Sequence, residues 1–366
     1  MRLEGIDLLR GIAVITVLIY HFFALLGLEQ LSFFKYVHSF GTLGVSLFFV
    51  ISGYLIYRSL TFSVKTYGKK NGLIRYALHR FFRIVPAYYV NFIAVLLLAT
   101  FVITPDYLYS KGFLGQILSH LSFSAYFVYK DTGLGVNGAY WTLDIEMLWY
   151  IVVAFLFVLL PSRKTWIALL FISLIYLCIL DFSLYDELFG LTPHSGNTDL
   201  LRLYYASQLP GMILYFAAGV LLFRSAIQFN KAVFPIRYML ALFLLLIYAW
   251  VTSQFNIIPS LILYHLFTAL IVTLLFILLF QTKPHYLGWL SWIGKISYSM
   301  YLWHMPILFV MKRSSAITHL SLLNNALLFS ISLLMISALS YYLIEESGFN
   351  WRRHIEKRLK EKHVFA

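Results

Sequence analysis

Long apolar blocks, separated by short polar ones, organise this chain. Crossing a hydrocarbon layer takes roughly 20 mostly apolar residues. Blocks of about that length predict spans near 8–28, 40–57, 84–103, 141–160, 166–181, 208–223, 238–252, 258–280, 293–311 and 321–344. A further stretch, 113–129, reads as a short or re-entrant segment. The spans have to be helices, because a backbone in lipid finds hydrogen-bond partners only within its own segment. The alternating pattern of an outer-membrane barrel is missing. The expected fold is all-α, a polytopic membrane helical bundle of about ten transmembrane helices with both termini cytoplasmic.

Composition agrees: 61% of the 366 residues are hydrophobic, 12% are charged and the mean hydropathy is +0.81. No water-soluble fold hides that much apolar surface. The first span is read as retained, since no small-residue cleavage site follows it. With the N-terminus inside, 20 Lys and Arg fall on inner segments and six on outer ones, which orients the bundle. The net charge of +13 is then mostly a property of the cytoplasmic face, in contact with membrane lipids, and nucleic acid is not an expected partner. The lone Cys178 excludes internal disulfides and two-cysteine metal or redox motifs, and it reads as core. The longest non-spanning stretches, 104–140 and 58–83, are too short for a soluble core. The expected organisation is a membrane domain over 1–345 and a basic cytoplasmic tail over 346–366.

An ionisable side chain at membrane depth costs a few kcal/mol and marks a site or pathway by default. Arg10 and His21 lie eleven residues apart, nearly three helical turns, on one helix face and about 16 Å apart along the axis. Arg10 near the inner interface suits an anion, or else snorkels to lipid phosphate beside Asp7; His21 is a site residue or a satisfied core histidine. In "YWTLDIEMLWY", Asp144 and Glu146 point about 200° apart, so one is functional and the other interfacial. The deeper Glu146 is placed to orient His21, or to form a buried ion pair. Arg80 and Arg83 share a face at the inner surface, where guanidinium pairs suit phosphate and also serve as topological anchors. Ser46, Ser52 and Gly53 favour close helix packing. Lys295, Tyr298, Tyr301, His304 and Pro306 gather on span nine, where the proline is a candidate kink and His304 reaches a depth similar to that of His21. Glu345 closes span ten, where a basic partner suffices to explain it.

Taken together, "GIDLLRGIA" with His21 eleven residues beyond Arg10, "FFVISGYLI", "RFFRIVPAY", "WTLDIEMLWY", "ISYSMYLWHMP" and "LIEES" resemble, in this order, the integral-membrane acyltransferase-3 proteins. Those proteins O-acylate extracytoplasmic carbohydrates. The resemblance implies an inner-membrane O-acetyltransferase that takes an acyl group, by default acetyl, from cytoplasmic acyl-CoA. The acceptor would be a hydroxyl of a surface glycan or lipid-linked saccharide. Arg10, Arg80, Arg83 and Ser52 would then contact the donor. His21 with Glu146 would carry catalysis, by direct base catalysis or through an acyl-enzyme. Trp141, Asp144, Tyr298, Tyr301 and His304 would meet the acceptor, with the two tyrosines and Trp141 as candidate oxyanion donors. No metal is implied. Some relatives carry a further secreted hydrolase-like domain; this chain stops at residue 366 and is expected to act alone or with a separate partner. The competing reading is a transporter or flippase that uses the same intramembrane Arg, His and Glu.

Overall fold

A computed structural model describes residues 4–28, 33–102, 112–130, 133–182, 198–225, 234–254, 260–280, 287–314 and 320–361. Among them every regular element is helical. In chain order these are α1 (Glu4–Leu25), α2 (Phe34–Val102), α3 (Phe113–Leu121), α4 (Ala125–Tyr129), α5 (Trp141–Leu159), α6 (Arg163–Asp181) and α7 (Thr198–Ala206). There follow α8 (Leu209–Arg224), α9 (Phe234–Gln254), α10 (Leu261–Leu279), α11 (Gly288–Arg313), α12 (Leu322–Ser340), a π-turn (Tyr341–Glu345) and α13 (Glu346–Glu361). Among the described residues, seven helical stretches are long and apolar enough to cross a membrane.

The expected spans map onto these helices with three differences. Spans 40–57 and 84–103 share the single 69-residue helix α2, far longer than one crossing needs. Gly68, at φ 73° and ψ 174°, breaks that helix inside the polar run between the two apolar stretches. Span 238–252 falls on a shorter apolar helix, Ile236–Thr252. Span 293–311 falls on α11, where Lys295, His304 and several serines and tyrosines dilute the apolar run. The stretch 113–129 is two short helices, α3 and α4, and the outer-loop acids Glu29, Asp106, Asp131, Asp186 and Glu187 lie outside the described residues.

The chain divides into two compact units. The first comprises Met1–Tyr20, Gln30–Arg58 and Phe155–Lys295, and so holds Arg10 and Ser52. Its α2 and α8 segments pack backbone on backbone: a Cβ on Gly53 would lie 2.1 Å from the Phe216 carbonyl oxygen, and one on Gly219 would lie 2.1 Å from that of Val50. Small residues are what permit such an approach, since lipid tails supply no hydrophobic drive between helices. The expected packing role of Gly53 is therefore met. Ser46 is buried and Ser52 half-buried on the same helix. Asp181 caps α10, its carboxylate accepting from the Leu261 amide (2.7 Å) and the Ser260 hydroxyl (2.6 Å). Cys178 is half-buried on α6.

The second unit comprises His21–Glu29, Ser59–Ala154 and Ile296–Ala366. In it the expected tail is the amphipathic helix α13, tied to α2 around one carboxylate. Glu356 accepts from His79 Nε2 at 2.5 Å and lies 3.7 Å from Arg75 and 3.6 Å from Arg352. The Arg352 guanidinium also donates to His79 Nδ1 (3.3 Å). Because arginine only donates, His79 Nδ1 accepts, and His79 is the neutral Nε2–H tautomer.

Gly53→Val drives a side chain into the Phe216 carbonyl and should destabilise the first unit by about 1–3 kcal/mol, measured by thermal unfolding in detergent. Docking of α13 should also depend on pH. Burial holds the His79 pKa below its ordinary 6.5 despite the Glu356 bond. Burial raises that of Glu356, but the His79 hydrogen bond and the charges of Arg75 and Arg352 outweigh it and hold the carboxyl below its ordinary 4.5. Both groups bind fewer protons when docked, so their contribution is full at neutral pH. It is lost as pH falls, starting below 6.5 for His79 and below 4.5 for Glu356. Hydrogen exchange of the α13 amides, corrected for intrinsic rate, should quicken between roughly pH 7 and pH 5, and His79→Leu should remove that dependence.

Candidate active site

The second unit collects His21, Arg80, Arg83, Trp141, Asp144, Glu146, Tyr298, Tyr301 and His304. Its centre is a pair of imidazoles. His21, half-buried on the last turns of α1, faces the fully buried His304 of α11, with Nδ1 of the first 3.1 Å from Nε2 of the second. The ring centroids are 5.0 Å apart. His304 Nδ1 lies 2.7 Å from the Tyr301 carbonyl oxygen, one turn back. The sequence suggested similar depths for these histidines and assigned His304 to the acceptor; in the fold it backs His21 directly.

Proline chemistry holds this part of α11 in place. Pro306 has no N–H, so the Leu302 carbonyl loses its intrahelical donor. The Asn137 side-chain amide donates to that carbonyl at 2.9 Å, and to Asn91 Oδ1 at 3.1 Å. The Tyr140 hydroxyl donates to the same Asn91 oxygen at 2.6 Å. The Tyr301 hydroxyl and Thr142 Oγ1 lie 2.8 Å apart, each 3.1 Å from the Ala139 carbonyl oxygen. The loop before α5 is thereby fastened to α11 one turn ahead of His304.

These bonds also bear on three assignments made from sequence. Tyr298 donates its proton to the Ile84 carbonyl at 2.9 Å, and Tyr301 points at that of Ala139, so both expected oxyanion donors face backbone acceptors. Asp144 is buried at 2% exposure, and its Oδ2 accepts from the Tyr126 backbone N–H at 2.9 Å, at the start of α4. Glu345 feels a basic residue, Arg83, as the sequence suggested, and it has a further partner. It is buried on the π-turn and accepts from the Ser299 hydroxyl at 2.5 Å, the wider turn rotating it inward. Trp141 is half-buried with its ring 5.7 Å from that of Tyr126.

A second polar group surrounds Glu146. Its carboxylate accepts from the Tyr150 hydroxyl at 3.0 Å, and the Tyr76 hydroxyl donates to the Tyr150 carbonyl at 3.1 Å. The Arg80 guanidinium sits over both rings, 5.9 Å from that of Tyr76 and 5.6 Å from that of Tyr150. Its Nε is buried with no hydrogen-bond partner, as is Nε of Arg10 in the first unit. The charges of Arg80, Arg83 and Glu146 all act on Tyr150. Among the described residues no group of three or more His, Cys, Asp or Glu is placed to hold a metal ion.

Sequence reasoning missed the direct His21–His304 contact, 283 residues apart in the chain, and the Asn91–Asn137–Tyr140 network. Asn91 carries a usable signal, since an amide inside the apolar run of span 84–103 needs a partner.

Several membrane-length apolar helices and polar groups gathered between them define a multi-pass membrane protein. The chain belongs to the acyltransferase-3 family, whose acyltransferase-domain profile matches residues 3–345. It is 28% identical to the peptidoglycan O-acetyltransferase OatA of Listeria monocytogenes, over 99% of this chain and 58% of that protein. It is also 28% identical to the O-acetyltransferase OatA of Staphylococcus aureus, over 84% of this chain and 50% of that protein. The chain thus spans about half the length of these relatives. No solved structure matches it.

Asn137→Ala leaves the Leu302 carbonyl unpaired and should cost about 1–3 kcal/mol. In a Pro306→Ala background the loss should shrink, because the new N–H at 306 can close the helical bond to Leu302. A double-mutant cycle on thermal unfolding measures this coupling.

Proposed function

We propose that this protein is a membrane O-acetyltransferase of about ten spans with both ends cytoplasmic. It would move acetyl from cytoplasmic acetyl-CoA to a hydroxyl of a cell-wall glycan. Peptidoglycan is the favoured acceptor, from the name of the Listeria relative. The observation that carries the reading is the imidazole pair: in a chain of this family, His21 stands half-buried against a second, buried histidine. Arg80, with an unpartnered buried Nε, and its neighbour Arg83 suit the phosphates of the donor. Within the first unit, Arg10 and Ser52 keep the donor-contact role that the family resemblance implies. His21 accepts the proton of the acceptor hydroxyl as that oxygen attacks the thioester carbonyl carbon. The C–S bond breaks, and the leaving thiolate takes the proton back from the imidazolium, giving the acetyl ester and CoA. Glu146, whose charge reaches Tyr298 and Tyr301, supplies a negative field that favours the transient imidazolium. Trp141 lines the acceptor side.

Mass spectrometry of cell-wall glycan from deletion, wild-type and His21→Ala cells tests the reading. O-acetyl groups should disappear in the first and third, with His21→Ala lowering turnover by about 10²–10⁴-fold, the usual weight of a general base. Equal acetylation in all three strains would overturn it.

A further inference from the structure

Carbonyl oxygens only accept hydrogen bonds, and that fact orders the protons along the imidazole pair. His304 Nδ1, 2.7 Å from the Tyr301 carbonyl, carries a proton. In the neutral ring its Nε2 is then a lone pair. The nitrogen 3.1 Å away, His21 Nδ1, has to be the donor. A neutral His21 with its proton on Nδ1 presents the lone pair on Nε2. Each step uses only donor and acceptor chemistry and the two distances.

We infer that His304 is a positioning residue: it locks His21 in the Nδ1–H tautomer, so that Nε2 is the nitrogen that takes the acceptor's proton. The inference rests on His21 being the base. It moves His304 from the acceptor-binding group to the machinery behind His21, and takes the orienting role from Glu146. A neutral imidazole suits this environment better than a carboxylate would. It accepts the Nδ1–H bond, strengthens it when His21 becomes an imidazolium, and avoids desolvating a permanent charge in an apolar interior. The bonds of Asn137 to Leu302 and of Tyr301 toward Ala139 hold the α11 segment that carries His304, so the alignment is built into the fold.

The test uses the full chain in lipid nanodiscs, labelled with ¹⁵N-histidine. Release of CoA from acetyl-CoA is followed with a soluble N-acetylglucosamine oligomer as acceptor. In wild-type protein the His21 resonances, assigned by their loss in His21→Ala, should report Nδ1 protonated and Nε2 bare. His304→Leu should lower kcat by about 100-fold, as loss of an orienting partner does elsewhere, with KM for both substrates unchanged and the His21 signature altered. His304→Gln, whose Oε1 can accept from His21 Nδ1, should keep the signature and most of the turnover. A wild-type His21 protonated on Nε2 overturns the inference even if His304→Leu fails to fold, and so does a folded His304→Leu with wild-type turnover. Full turnover in His21→Ala brings down the base assignment itself. An inactive His21→Ala beside an active His304→Leu brings down only the positioning role.

Discussion

Where no water is at hand, every polar group needs a partner from the chain, and this obligation shapes the second unit. Pro306 frees one carbonyl and Asn137 takes it up; the Asn137 amide then also donates to Asn91 Oδ1, which accepts from Tyr140 as well. The network does two jobs with one set of bonds. It removes the penalty of an orphaned carbonyl in an apolar helix, and it fastens the turn of α11 on which His304 stands. Removing the proline alone would relax the need for Asn137, which makes the pair a coupled device.

The same rule decides where the hydroxyls of the second unit point. Tyr298 and Ser299 each spend a proton on a backbone carbonyl or a carboxylate from another segment, and Thr142 on the Ala139 carbonyl three residues back. Asp144 is a carboxylate spent on a backbone N–H. Imidazole is different because it has two nitrogens. One can satisfy the fold while the other serves chemistry, and in the proposed arrangement a pair of them in series passes the orientation from a backbone carbonyl to His21.

The first unit solves its packing by different means. Reciprocal approaches at Gly53 and Gly219 bring backbones together where no side chain fits, and Asp181 closes the start of α10. Packing alone accounts for glycine at these two positions. Outside the spans, Glu356 gathers Arg75, His79 and Arg352, so the basic helix α13 is held to α2 through a carboxylate.

Sequence alone determined the helical class, the membrane character and the candidates Arg10, His21, Arg80, Arg83 and Glu146. Apolar run length and the cost of burying charge are local properties that one segment displays by itself. It also carried the family, because six motifs occur in order. Partner choice was different. Whether His304 faces a substrate or His21, that Glu345 meets Ser299 as well as the charge of Arg83, and which carbonyl each tyrosine finds depend on segments tens to hundreds of residues away. A hydrogen bond is decided by distances of a few tenths of an ångström across helices, and those arise only when the helices have packed.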